Sequence, residues 1–394
     1  MTFTTNRRLR PAGAALTLVG ALFLAACSST NSTGASDTSS SDAASAPDIA
    51  AGSVGTVDQF GDMAAVCGDK PMKVGVVDGY GTNSWSKTVL AEIESEAAKC
   101  PAIESVEFAA GAGDLTTTTS AITSMAAKGV DIILVIPDAG PGKAHVPAMR
   151  QATQAGSIVV PFASDPEGTA GTDYLDYVDQ DPKYSGKTWA QWVADQLGDK
   201  GGNVVFLGGP AGAAVSVQEF EGVKEVLAEN PQLNLLTPEP VVTNWDPAQA
   251  QEAMAGLLAK NDKIDAVIAD YGAVAAGVIR AYESAGISVP LLTSTDDNSL
   301  SCGFDGIKAK NSAYELATVT SRTWIGRVAL RKAVAQFQGK DDAEPSIYEF
   351  ALAEDSSGST AGSVAPADAC LADAPSDASP SSLLTSAEFA EIFS

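Results

Sequence analysis

From Lys73 onward the chain alternates short runs dense in β-branched residues with longer runs whose apolar positions recur at helical spacing. Strands are predicted over 73–77, 106–108, 132–136, 158–161, 203–207, 233–236, 266–269, 290–293 and 316–319. Helices are predicted over 85–99, 117–128, 189–197, 217–229, 247–260, 274–284 and 325–338, with stops at Cys100-Pro101, Lys128-Gly129, Ala155-Gly156, Ala285-Gly286 and Gln338-Gly339. Strand and helix in strict alternation imply parallel sheets joined by right-handed crossovers. Nine such units are many for one open sheet, and the Gly/Asp/Pro-rich stretch 165–181 breaks the rhythm after the fourth. The pattern therefore predicts an α/β protein of two doubly wound parallel-sheet lobes.

The N-terminus is patterned differently. Arg7, Arg8 and Arg10 precede an apolar run from Ala12 to Ala26, which is shorter than the roughly 20 residues a spanning helix needs. A basic start followed by a short apolar stretch is the order of a signal peptide, here over 1–26. The Arg7-Arg8 pair is a weak twin-arginine signal, because Arg10 and Pro11 follow where that motif prefers apolar residues. Leu24-Ala25-Ala26-Cys27 resembles the lipobox of bacterial lipoproteins, which implies a lipidated Cys27 as mature N-terminus; the plain alternative is a secreted protein with an incidental Cys. Residues 27–56, rich in Ser, Thr, Ala and Asp, are expected to form a flexible tether. Export and anchoring outside the membrane are thus expected.

Charge narrows the partners. The 394 residues carry 24 Lys plus Arg against 49 Asp plus Glu, a formal charge of −25, so the surface repels phosphate backbones and a nucleic-acid partner is not expected. Cys67, Cys100, Cys302 and Cys370 remain after Cys27; an even number outside the cytoplasm favours disulfides, and four cysteines allow three pairings. Their spacing fits no zinc motif and His145 is the only His, so neither a metal nor a cofactor is expected.

In open parallel sheets a ligand sits beyond the carboxyl ends of the strands, so the polar residues there are the candidates. After the first strand comes Asp78-Gly79-Tyr80-Gly81-Thr82-Asn83-Ser84-Trp85, close to a dinucleotide fingerprint, but Ser84 stands where the third Gly belongs and no acidic residue ends the second strand. Ser185-Gly186-Lys187-Thr188 imitates a phosphate loop without the first Gly or a preceding strand, and is read as a helix start. Other ends carry Pro137-Asp138, Ser164-Asp165, Gly208-Gly209, Thr243-Asn244-Trp245-Asp246, Asp270-Tyr271 and Thr295-Asp296-Asp297-Asn298. Carboxylates accept hydrogen bonds from hydroxyls or an ammonium, and an indole face packs on the C–H face of a sugar ring. Taken singly, Asp246 and Asp297 read as helix caps.

Residues 72 to 350 resemble the type I periplasmic binding proteins of sugar ABC importers, in the ribose-binding branch. Lys73-Val74-Gly75-Val76-Val77 with Asn83-Ser84-Trp85 is similar to that family's first strand and Asn-Pro-aromatic loop; Ile136-Pro137-Asp138 to its Pro-x-Asp element; Asn244-Trp245-Asp246 to its Asp-aromatic-Asp element; Asp296 to the Asp of its Phe-Asp-Gly element. Ser321-Arg322 falls on a hinge position that carries a ligand-binding Gln. The chain departs from the family at Glu219 before Phe220-Glu221-Gly222, at Tyr271-Gly272, and at Ser164-Asp165, where an Arg is usual. The resemblance implies ligand contacts from Asp78, Asn83, Trp85, Asp138, Asp165, Glu219, Trp245, Tyr271, Asp296 and Arg322. These departures make the pocket acidic, suiting a neutral polyol or an amine-bearing sugar better than a carboxylate-bearing ligand.

The resemblance further implies lobes of 57–178 plus 322–346 and 179–321 plus 347–394, with a hinge near 178–180, 321–322 and 346–348. On that plan Cys67 pairs with Cys100 and Cys302 with Cys370. The expected protein is a monomeric, lipid-anchored binding protein that hands a sugar or polyol to an importer permease, or else to a receptor. A surface glycosidase built on the carboxylates is the enzyme alternative, but no Gly-x-Ser-x-Gly or other activated nucleophile is present, and no enzyme is expected.

Overall fold

The computed structural model describes residues 47–393. The leader, Cys27 and residues 27–46 of the expected tether lie outside the described residues. The strand Ile132–Ile136 is buried at every position, as expected where helices cover both faces of a parallel sheet. It lies in a four-stranded parallel sheet in the order Ile103–Ala110, Met72–Asp78, Ile132–Ile136, Ile158–Pro161. Helices Ser84–Ala97 and Ile325–Gln338 supply the core of one face; Leu115–Ala127 and Val146–Gln154 supply that of the other. The second sheet runs Glu354–Asp355, Leu316–Val319, Leu291–Thr295, Ala266–Ala269, Gly202–Gly208, Leu233–Leu235, with Val241–Val242 also on Gly202–Gly208. Only Glu354–Asp355 pairs antiparallel.

Most predicted elements stand within a few residues of their expected bounds. The helix expected from 189 begins instead at Pro182, where Pro at the first position and the Asp181 side chain, accepting from Tyr184 N, start it early. Its Gly186 lies against the carbonyl of Glu219, and Gly222 against that of Lys183. A Cβ at either would collide with backbone about 2 Å away, so the glycines of the phosphate-loop imitation serve close packing between helices Pro182–Leu197 and Ala214–Glu229. Asp246 and Asp297 cap their helices through Ala248 N and Ser299 N. Of the short helix Val146–Gln154 only the stop at Ala155-Gly156 was expected, and Asn298–Lys310 was not, because it mixes Ser, Gly and Lys into its apolar stripe.

A third, all-parallel sheet of Val54–Gly55, Ile347–Tyr348 and Asp179–Gln180 lies at the expected hinge. It corrects the tether, whose last residues are held: Ile49 is buried beside Asp342, and Val54 pairs with Ile347. Both expected disulfides, Cys67–Cys100 and Cys302–Cys370, are formed.

The C-terminal extension corrects the lobe boundary. From Cys370 it follows the second lobe, where Asn298 Nδ2 donates to the carbonyls of Leu371 and Pro375. It then crosses over. Ser382 Oγ and Leu383 N donate to Glu92 Oε1 of the first lobe, and helix Ser386–Ile392 packs on Ser84–Ala97. Residues 382–392 therefore belong with the first lobe. Hydrogen bonding to Glu92, far away in sequence, decided their place.

Candidate functional site

The loops after the strands of both lobes converge. Asn83 caps helix Ser84–Ala97, its Oδ1 accepting from Ser86 N at 2.8 Å, and so fixes Trp85 in the first turn. The Trp85 indole Nε1 donates to Ser321 O at 2.7 Å, tying this loop to the hinge. In the second lobe, Asn244 and Trp245 adopt positive φ angles of 53° and 54°, costly for residues with a Cβ. That turn lays the Trp245 ring over Gly209, where a Cβ would overlap the ring, and sets Nε1 3.1 Å from Asp270 Oδ2. Tyr80 meets the Trp245 ring edge-on at 5.7 Å from the other lobe.

These side chains line a cavity of about 70 Å³ between the lobes. Ala163 and Arg322, which also line it, are two further non-Gly residues at positive φ, 59° and 53°. Strain of this kind persists where the surrounding structure holds it, and three of the residues that carry it, Ala163, Trp245 and Arg322, line this cavity.

Six of the ten expected residues line it: Asn83, Trp85, Asp138, Trp245, Tyr271 and Arg322. The other four do not. Asp78 is buried beside Asp138, its Oδ1 accepting from Tyr80 N at 2.8 Å. Asp165 is turned to the rim, where Oδ2 accepts from Gln218 Nε2 of the opposite lobe at 3.2 Å. Glu219 is fully buried near Arg322, at 3.8 Å. Asp296 is spoken for by the protein, accepting from Ser321 N and, at 2.6 Å and 3.0 Å, from Ser381 N and Oγ of the extension. Tyr80, Ser164, Asp270 and Ser321 also line the cavity, although they were not among the ten expected ligand contacts. Asp270 carried a visible signal, as the acidic residue ending the buried strand Ala266–Ala269.

Among the described residues Arg322 is the only cationic side chain on the cavity wall. It lies 3.3 Å from Asp179 Oδ1 of the hinge sheet as well as near Glu219. Burial pushes Asp78, Asp179 and Asp270 up to about 6, against hydrogen bonds or charges that pull them down. Burial raises Asp138 well above the usual carboxylate range, and the neighbouring Asp78 adds to it. Glu219 is raised in the same way, first by burial and then by Asp270. Asp138 Oδ1, Asp270 Oδ1 and both oxygens of Glu219 have no hydrogen-bond partner. Asp138 and Asp270, the two acids of the wall, offer carboxyl oxygens to a donor-rich molecule. Among the described residues no group of three His, Cys, Asp or Glu side chains could hold a metal ion.

A family model described as "Periplasmic binding protein domain" matches residues 74–341. The xylitol-binding protein of Mycolicibacterium smegmatis is 29% identical over 215 residues, 52% of this chain and 58% of that one. The ribose import binding protein of Escherichia coli is 26% identical over 198 residues, 50% and 62% of the two chains. The chain thus spans about three fifths of the curated relatives it matches. Among solved structures, the Caulobacter myo-inositol binding protein bound to myo-inositol superposes with a TM-score of 0.59 at 21% identity, covering 71% of this chain and 93% of that one.

Proposed function

The chain belongs to the periplasmic binding protein domain family, and on that premise we propose that it captures a sugar or polyol between its lobes and delivers it to the permease of an ABC importer. The observation that carries this reading is the cavity walled from both lobes by Trp85 and Trp245 together with Asp138, Asp270 and Arg322. Rings of that kind pack on C–H faces while carboxylates and a guanidinium order hydroxyls, and only closure of both lobes desolvates all of them together. The lipobox-like Leu24-Ala25-Ala26-Cys27 supports lipidation at Cys27, which would hold the protein at the outer face of the membrane. No helix among the described residues is long and apolar enough to cross a membrane.

The test is a thermal-shift screen of the folded protein against sugars, polyols, cyclitols and amino sugars. A ligand at about 100 times its Kd adds roughly 2.7 kcal/mol to the stability of the folded state, a clear rise in melting temperature. No rise with any compound would refute the reading. Cys27→Ala should move the protein from the membrane fraction into the soluble one; retention at the membrane would refute the lipid anchor.

A further inference from the structure

Positive charge at the cavity is scarce, and what there is has been committed. Arg322 faces two buried acids, Asp179 Oδ1 at 3.3 Å and Glu219 Oε1 at 3.8 Å, so its charge is already engaged within the protein. Asp138 and Asp270, one from each lobe, line the cavity with no cation of their own. Asp270 is 5% exposed, and its Oδ2 accepts from Gly209 N, Ser216 Oγ and Trp245 Nε1. An oxygen accepting three donors belongs to an ionised carboxylate, and the other oxygen, Oδ1, is buried without a partner. Asp138 lines the cavity from the other lobe, with Oδ1 unpartnered and packed against Gly79. The missing element is a compact cation with several N–H donors.

We propose that the ligand is an amine-bearing sugar or polyol whose ammonium is held between Asp138 and Asp270, while its ring or chain lies against Trp85 and Trp245. This rests on the sugar or polyol reading above and narrows it. A neutral polyol could donate hydroxyls to the same oxygens, but it would leave the ionised Asp270 buried without a counter-charge. An ammonium supplies donor and charge in one group.

Calorimetry on the full chain with matched pairs decides between them: glucosamine against glucose, galactosamine against galactose, glucamine against sorbitol, and an inosamine against inositol, with N-acetylglucosamine as the uncharged control. In at least one pair the amine should bind tenfold or more tightly, and N-acetylation should abolish that advantage. Asp138→Asn or Asp270→Asn should narrow the gap within the pair. If the hydroxyl member binds as tightly as the amine, or more tightly, in every pair that binds, the amine is refuted and the polyol reading stands. If no member of any pair binds, both fall. The wild-type comparison needs no variant to fold.

Discussion

Between helices Ser84–Ala97 and Ile325–Gln338, Glu92 and Glu96 meet Arg327 and Arg331, and Arg331 also reaches Glu344. Around the cavity, Asp179 and Glu219 share Arg322, while Asp138 and Asp270 make no ion pair with it. Both clusters are buried and built from the same residue types. In the first, all six carboxylate oxygens of the three glutamates accept a hydrogen bond, from the arginines, Lys99, Gly61 N, Tyr348 or the extension's Ser382 and Leu383. In the second, four carboxylate oxygens of Asp138, Glu219 and Asp270 accept none. A satisfied cluster fixes architecture, whereas an unsatisfied one holds binding capacity at the expense of stability.

The largest expected effect breaks the satisfied cluster. Arg331→Met leaves Glu96 and Glu344 buried with fewer donors and should cost about 3 to 5 kcal/mol, read from urea denaturation. A variant as stable as the parent would erase the distinction drawn here.

The pH response should separate the clusters next, because their shifts have opposite sign. Asp78, Asp179 and Asp270 are raised from 3.8 to about 6, so the folded state holds protons that the unfolded chain releases first. Their contribution is complete below about pH 4 and is lost as pH rises through 6, up to about 3 kcal/mol per group. Glu96 is lowered: burial pushes it up, but hydrogen bonds from Lys99 and the arginines, with the Arg331 charge, outweigh burial. Its contribution is present above its ordinary value of 4.5 and fades as pH falls. Calorimetry of the ligand-free protein should show the melting temperature falling from pH 5 to 7; a rise over that range would contradict the cavity account.

Glu219→Gln should be the reverse of Arg331→Met. Removing a buried acid whose oxygens accept no hydrogen bond should stabilise the fold at pH 7 by on the order of 1 to 3 kcal/mol, read from urea denaturation, and destabilisation there would mean that its pairing with Arg322 outweighs its burial. Truncating Trp85 or Trp245 to Ala should weaken ligand binding by roughly tenfold or more, about 1 to 3 kcal/mol. Unchanged affinity by calorimetry in both would return these rings to the core. The smallest effect is expected from Ser382→Ala, which removes one donor to Glu92 from the segment joining the lobes. At about 1 kcal/mol it should speed ligand release a few-fold in stopped flow; an unchanged rate would make this contact irrelevant to closure.

The site was partly legible in the residues. Trp85 and Trp245 stood out because an indole face at a strand end can pack on a sugar ring, and both line the cavity. Asp296 was misplaced because its position at a strand end matched a ligand residue, whereas Ser381, 85 residues later, takes its oxygens. Asp165 was misplaced for a similar reason, since its partner Gln218 comes from the other lobe. Asp179 was read only as hinge, and nothing near it in sequence announces Arg322.

What the sequence determined by itself was local. Apolar periods of two and of 3.6 set the strands and helices, Asp and Asn before apolar runs set their starts, and the alternation of the two set parallel sheets. What only the tertiary structure decided was partnership at a distance: which carboxylates share Arg322, which are satisfied by Arg327 and Arg331, and where the extension crosses from one lobe to the other. Periodicity repeats within a turn or a pleat and so can be read from neighbours. The charge state and the free oxygens of a buried group depend on whatever the fold brings within about 4 Å of it, and the chain order does not encode that separately.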